Sequence, residues 1–335
     1  MRQTISMVLF CLLFFWVFDD SSFARDYTNI YSVNTLKRAS ETYSKNLQGV
    51  WQLDLKTRLL PGDMQAAADV RMLLPEIGQH RHPLDYYADV DARRVTIPII
   101  SVKFFDDICI AMAWFERNGC DKMLVSDYTG MLYYQDNIFF PGRHYPDPSS
   151  ALGVPENALD DAFVNDVSGK ALKSGIYFLM AHELAHVLHG HRGYGSISAN
   201  QAQRQEIEAD NFALDLMRRI SVPPVGVSIF FMIASRFELA PGDFKSSAEY
   251  DTYLREKATH PLTSARLINI ADYIRDNAHD FAYGQNQPAL WKPKIISISE
   301  DIRTIGLTLD NPLSRELQRR RSIEVTVNEL RNACH

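Results

Sequence analysis

The segment His182-Glu183-Leu184-Ala185-His186 spells HExxH. On a helix, residues four apart lie one above the other, so both imidazoles face the same way. Two neutral imidazoles at that spacing can hold one zinc ion, and Glu183, one step round, can reach a water carried by the metal. The competing reading is an ordinary amphipathic helix with solvated histidines. The choice between them turns on whether the rest of the chain supplies a third ligand and a scaffold.

A third ligand also decides which zinc chemistry is open. The longer pattern HExxHxxGxxH requires Gly at 189 and His at 192, where this chain has His189 and Arg192, so that register fails. Downstream, Arg204 to Met217 reads as a second helix on which Glu206 and Asp210, four apart, share a face. Glu206 is the favoured third ligand. Asp210 is then placed to accept a hydrogen bond from a ligand imidazole, a contact that orients such rings in metal sites. Glu208, on the far side, is the lesser candidate and reads as an exposed helix charge. Ala209 and Ala213 lie near the ligand face and would let two helices approach closely.

With these residues in place, the chain resembles the gluzincin peptidases of the HtpX, BepA and CAAX-prenyl-protease type. The matching elements are HELAHVLHGH, with His182, Glu183 and His186, then EIEADNFAL, with Glu206 and Asp210. Thr259-His260-Pro261 follows, with Arg266 six residues after His260. The likeness spans roughly residues 165 to 275. It implies one Zn2+ per chain on His182, His186 and Glu206, with Glu183 as general base. It further implies that His260 and Arg266 stabilise the site or the developing oxyanion. The chain departs from that group in lacking an Asn-Ala-Phe segment ahead of the active helix and the two long hydrophobic spans of its membrane-embedded members.

Elements must position these groups. Asp166 to Gly190 reads as one helix, with Leu172, Ile176, Leu179, Leu184 and Val187 recurring at threes and fours and Gly190 as its stop. The HExxH segment therefore occupies its last turns. Ahead of it, Arg94 to Val102 reads as a buried strand and Phe105 to Arg117 as a helix. Met123–Ser126 and Met131–Tyr134, separated by Asp127-Tyr-Thr-Gly130, read as a hairpin. Met131, Leu132, Tyr133 and Tyr134 are then the candidate edge strand for pairing with extended substrate, with simple core packing as the alternative. Residues 135–165, rich in Pro, read either as a lid over the cleft or as a surface connection, and His144 within it as a solvated histidine that can also be drawn as a metal cap. Helices are expected over 225–235, 262–277, 295–308 and 313–332. The fold class is α+β: a mainly helical, zincin-like core with a small mixed sheet beside the active-site helix. The expected organisation is a signal peptide over 1–24, an N-terminal α/β part over 25–150, the catalytic core over 151–280 and a helical tail over 281–335.

The N-terminus speaks to compartment. Ile5 to Phe18 is apolar apart from Ser6, and Ser22-Phe23-Ala24 offers the small residues that a signal peptidase reads. Fourteen helical residues span about 21 Å, short of a ~30 Å hydrocarbon core. The expectation is a periplasmic or secreted protein, with an uncleaved anchor as the alternative. Removal of residues 1–24 takes away Arg2, Asp19 and Asp20 and moves the formal net charge from −6 to −5. The one basic block is Arg319-Arg320-Arg321, so a nucleic-acid partner is not expected. Cys109, Cys120 and Cys334 remain, compatible with one disulfide and a thiol left over, or with three buried thiols. Cys109 and Cys120 would be about 16 Å apart in one straight helix and could pair only if Gly119 ended it. No cysteine spacing suits a zinc cluster.

These readings converge on a zinc endopeptidase that acts on polypeptides. The competing class is a zinc-bound chaperone or regulator that grips extended chains without cutting them, a role in which Glu183 has no task. A structural zinc fits worst, since three protein ligands are evident and such sites are closed by four.

Overall fold

The computed structural model describes residues 26–135, 144–193, 196–256 and 260–334. The expected signal peptide and Thr259 lie outside the described residues. The longer helices are α1 (Val33–Gly49), α2 (Ile99–Asn118), α3 (Met123–Tyr134), α4 (Ala162–His189), α5 (Ala199–Arg219), α6 (Val225–Phe237), α7 (Ser247–Glu256), α8 (Ser264–Asp276), α9 (Pro288–Leu309) and α10 (Pro312–Glu324). Three short strands, β1 (Arg71–Leu73), β2 (Tyr87–Asp89) and β3 (Arg94–Thr96), form one mixed sheet. Its order is β1-β3-β2, with β1 parallel and β2 antiparallel to β3. The architecture is thus α+β, mainly helical, and β2 and β3 pack against α4.

Helix α4 is the axis. Asp161 caps its start, its Oδ1 accepting from the backbone N–H of Phe163 at 2.8 Å and of Val164 at 3.2 Å. Every residue from Ser174 to Val187 is buried, as expected of a helix that is apolar on all sides and enclosed by neighbours. Those neighbours are α2, α5, α6 and the sheet. The α4–α6 contact is close because glycine faces glycine. A Cβ on Gly226 would sit 2.0 Å from the Ala171 carbonyl oxygen and 2.5 Å from the Gly175 nitrogen. The Gly226 N–H instead donates to Ser174 Oγ at 2.8 Å.

The expected helices are present, but α2, α5 and α9 begin earlier than expected, at Ile99, Ala199 and Pro288. The helix expected over 313–332 ends at Glu324 and is followed by a separate short helix, Val327–Asn332. The strand expected over 94–102 shrinks to Arg94–Thr96, and Ile99 already begins α2. The hairpin is corrected outright. Met123 to Tyr134 is the continuous helix α3, so Met131, Leu132, Tyr133 and Tyr134 offer no strand edge to a substrate. Short apolar runs look alike as strand or helix, and the Asp127–Gly130 turn signal has another cause. Gly130 is where Ser322 of α10 lies against α3; a Cβ there would meet Ser322 Oγ at 2.1 Å. Asp127 Oδ2 accepts from Arg321 Nε at 2.9 Å. Arg319 and Arg320 pair with Glu316, so the basic block is engaged in ion pairs.

The apolar stretch Val225–Asp243 has the length and composition of a membrane span, but 56% of its most apolar window is buried inside the described structure. Helix α6 occupies only its first 13 residues. Gly119, with φ 68°, ends α2 in the left-handed conformation that glycine favours, and the chain turns as expected. Cys120 then bonds to Cys334 rather than Cys109, which stays buried and free. Within 135–165, Tyr145, Pro148, Ala151 and Leu152 are buried and His144 is exposed.

Helix α1 and the segment just before it are fastened to α2 by two tyrosines, Tyr43 and Tyr31. Tyr31 donates to Asp107 Oδ2 at 2.6 Å, Tyr43 donates to Asp106 Oδ2, and Lys103 pairs with Asp107. Burial pushes the Asp106 carboxyl up to about 6; the Tyr43 hydrogen bond opposes the rise and the Asp107 charge adds to it. A carboxyl raised on folding stabilises below its unfolded pKa of 3.8, and that contribution is lost as pH climbs through about 6. Asp106→Asn, which keeps an acceptor for Tyr43, should leave stability nearly unchanged at pH 4 and raise it by about 1–3 kcal/mol at pH 8. Urea unfolding at the two pH values measures the difference; equal gains at both would refute the titration.

Candidate metal centre

The last turns of α4, the middle of α5 and the segment 260–266 converge. His182 and His186 are 2% and 5% exposed, which removes the solvated-histidine reading of HExxH. On α5, Ser198 caps the start by accepting from Gln201 N–H at 3.2 Å. The face with Glu206, Ala209, Asp210 and Ala213 is fully buried. The two alanines bring α5 close enough to α4 for the short carboxylates to reach the imidazoles.

Two imidazole nitrogens and one carboxylate form a triangle. His182 Nε2 lies 3.1 Å from His186 Nε2 and 3.5 Å from Glu206 Oε2, and His186 Nε2 lies 3.3 Å from Glu206 Oε1. Bonds of ~2.0–2.1 Å to a tetrahedral ion put neighbouring donors about 3.4 Å apart, so these residues fit a zinc-like ion. His260 belongs to the same group: its Nδ1 is 3.3 Å from Glu206 Oε1 and its Nε2 is 3.8 Å from Glu183 Oε1. Its side chain, 28% exposed, is the part of the group nearest to solvent.

Charge makes the same case. Glu183, Glu206 and Asp210 are three buried carboxylates, and Arg266 is the buried guanidinium in contact with two of them. Its Nε and Nη2 donate to Asp210 at 2.6 and 2.9 Å, and its Nη1 lies 2.7 Å from Glu206 Oε2. With neutral imidazoles this set carries a formal −2, the complement of a divalent cation. In the metal-free protein protons take that place. Burial opposes a charge on His182, but Asp210 and Glu206 outweigh it and push its pKa up to about 10. Burial likewise works against a charge on Glu206, yet Arg266, His260, His182 and His186 hold it well below the carboxylate range.

The neighbours of the two imidazoles are specific. His182 Nδ1 is 2.9 Å from Asp210 Oδ1, although off the line of an ideal hydrogen bond. His186 Nδ1 is 2.9 Å from His191 Nδ1, and His191 Nε2 is 3.2 Å from Glu208 Oε2. Glu183 Oε2 is buried with no hydrogen-bond partner among the described residues. Thr263 caps α8, accepting from Arg266 N–H at 3.2 Å and from Gln203 Nε2 at 2.9 Å, which joins the Arg266 turn to α5. The Arg266 guanidinium also lies over Phe231 of α6, 5.4 Å from the ring centroid.

His182, Glu183, His186, Glu206, Asp210, His260 and Arg266, all anticipated from sequence, are therefore together. His191 was missed. Its signal is Gly190, whose φ of 63° turns the chain back under α4 so that His191 N–H bonds the His186 carbonyl at 3.0 Å. Glu208 is largely exposed, as expected, yet it meets both His189 and His191.

The model for the family Peptidase U49 matches residues 142–285. That stretch contains every member of the centre and is similar to a peptidase family; the narrower likeness to the HtpX type rests on the motifs. No curated protein and no solved structure matches the chain.

Arg266→Met would strand two buried carboxylates. It should cost about 3–5 kcal/mol in the presence of chelator, with Arg266→Lys losing less because it keeps the charge but not the two-pronged geometry. Chemical unfolding with and without zinc measures both. A loss below 1 kcal/mol for Arg266→Met would contradict the charge count.

Proposed function

We propose that this protein is a zinc-dependent endopeptidase that binds one Zn2+ on His182, His186 and Glu206 and hydrolyses peptide bonds of extended polypeptides. The observation that carries the reading is the triangle of two Nε2 atoms and a Glu206 carboxylate, 3.1–3.5 Å on a side, with the partnerless Glu183 oxygen beside it. The match of residues 142–285 to a peptidase family supports it.

When bound, zinc supplies a Lewis acid that polarises the scissile carbonyl and acidifies water towards neutral pH. The protein's own groups do the rest. Glu183 Oε2, buried and without a hydrogen bond, accepts the proton of the attacking water and returns it to the departing amine nitrogen. Burial lowers the charge tendency of His260, but Glu206 and Glu183 raise it further, so its pKa stands above the ordinary value. A protonated His260 Nε2, on the solvent side of Glu183, can donate to the oxygen that becomes negative. Arg266 positions Glu206 and Asp210, and Asp210 orients His182. None of these needs to move during turnover, which suits electrostatic preorganisation.

A second reading has one observation in its favour. His260 lies within ligand distance of the triangle, and four protein ligands would close the site as structural or latent sites are closed. The protein would then grip polypeptides without cutting them. Secretion to the periplasm or beyond, and a role in envelope protein quality control, complete the leading proposal; the first follows from the N-terminal sequence and the second from analogy with the HtpX type.

The deciding experiment incubates zinc-loaded residues 25–335 and its Glu183→Gln variant with an unfolded protein. Equal zinc contents with a rate at least ~100-fold lower in the variant are expected. Equal zinc and no cleavage by either chain, over many substrates, would favour the closed-site reading.

A further inference from the structure

Beside the centre just described lies a second group of metal-ligating side chains with a different exposure. His189 occupies the last turn of α4, His191 follows the Gly190 reversal, and Glu208 stands on the outward side of α5, facing away from Glu206. Glu208 Oε1 is 3.2 Å from His189 Nδ1, and its Oε2 is 3.2 Å from His191 Nε2. One potential donor atom from each of the three lies within 4.8 Å of the others. The two carboxylate–imidazole spacings are close to those of the inner triangle, and two imidazoles with a carboxylate again suit a divalent transition metal. Glu208 is 58% exposed and His189 29% exposed on their side chains, so solvent can complete a coordination shell there. The His189 ring is held edge-on by Phe212 of α5, at 5.7 Å between centroids, which fixes one donor against its helix.

We propose that His189, His191 and Glu208 form an outer site for a zinc-type divalent cation, and that filling it opposes filling of the inner site. The opposition rests on the inner-site reading and follows from the 2.9 Å contact between His186 Nδ1 and His191 Nδ1. A neutral imidazole carries one N–H and one lone pair. His186 can give its Nε2 lone pair to an inner cation only with its proton on Nδ1, donated to His191 Nδ1. His191 must then carry its own proton on Nε2, where it donates to Glu208. A cation in the outer site needs that same His191 Nε2 lone pair, which moves the proton to His191 Nδ1. Two N–H groups would then point at each other across 2.9 Å, so one ring must turn or one proton must leave. The outer site is accordingly the weaker one in zinc-loaded protein, and it offers a route by which excess zinc lowers retention of the inner ion.

Equilibrium dialysis of the full chain against graded Zn2+ tests this, alongside His189→Ala, Glu208→Gln and His182→Ala, with far-ultraviolet circular dichroism to verify folding. The wild-type chain should take up two equivalents, the second at least ~10-fold weaker. His189→Ala and Glu208→Gln should keep the tight equivalent and lose the weak one. His182→Ala should keep one equivalent at the outer site, now bound more tightly than the second equivalent of the wild type. A single equivalent in the wild type up to millimolar zinc that is unaffected by His189→Ala and Glu208→Gln overturns the proposal. So does a second equivalent that persists in His189→Ala and Glu208→Gln, which would mark adventitious surface binding. Unchanged outer affinity in His182→Ala overturns the opposition. Loss of tight binding from the wild type with the His189-dependent equivalent retained would instead count against the inner ligand set.

Discussion

The constraint on which this molecule depends is the burial of more negative than positive charge at one point. Asp210 and Glu206 are wholly inaccessible, Glu183 nearly so, and the single guanidinium of Arg266 is divided between the first two. Buried carboxylates are tolerated only when paired and hydrogen-bonded, so the surplus must be met by protons on the imidazoles or by a cation. A protein that needed only stability would replace such a cluster with apolar side chains at little cost. Keeping it makes sense where a cation is to be held.

The scaffold follows from that requirement. Low polarity around the charges demands a helix enclosed on all sides, and α4 is enclosed because Gly175 and Gly226 let α6 lie almost backbone to backbone against it. The same contact brings Phe231 under the Arg266 guanidinium and Phe178 near the His182 ring. On the other side, Ala209 and Ala213 set the approach of α5. Small residues thus fix the distances, and the polar side chains inherit them.

Much of the centre was legible in the sequence because its parts lie on helices, where spacing dictates direction. His182 and His186, or Glu206 and Asp210, can be placed on a face by counting to four. His260 and Arg266 carry no periodicity of their own and became visible only through resemblance to a known motif. His191 escaped spacing arguments because its position depends on the chain reversal at left-handed Gly190, whose stop signal ends the helix but does not say where the next residue goes. The failure at Met131–Tyr134 has a similar root. A glycine and an aspartate inside an apolar run signal a turn locally, but here Gly130 and Asp127 answer to α10, some 190 residues away in the chain. Information held in another segment cannot be read from the run itself.

The C-terminal residues are more than a trailing end. Gln135 Nε2 donates to the carbonyls of Ser322, Ile323 and Val325, and a few residues on Cys334 is covalently joined to Cys120. The bond spans 214 residues, and the stretch of chain it closes contains every residue of the charged cluster. In the chain-entropy view, a ring of that size withholds about 5 kcal/mol of disorder from the unfolded chain. The persistence of the cluster is thereby tied to the thiol–disulfide balance of its surroundings: a reducing milieu would loosen a fold whose chemistry contains no cysteine at all.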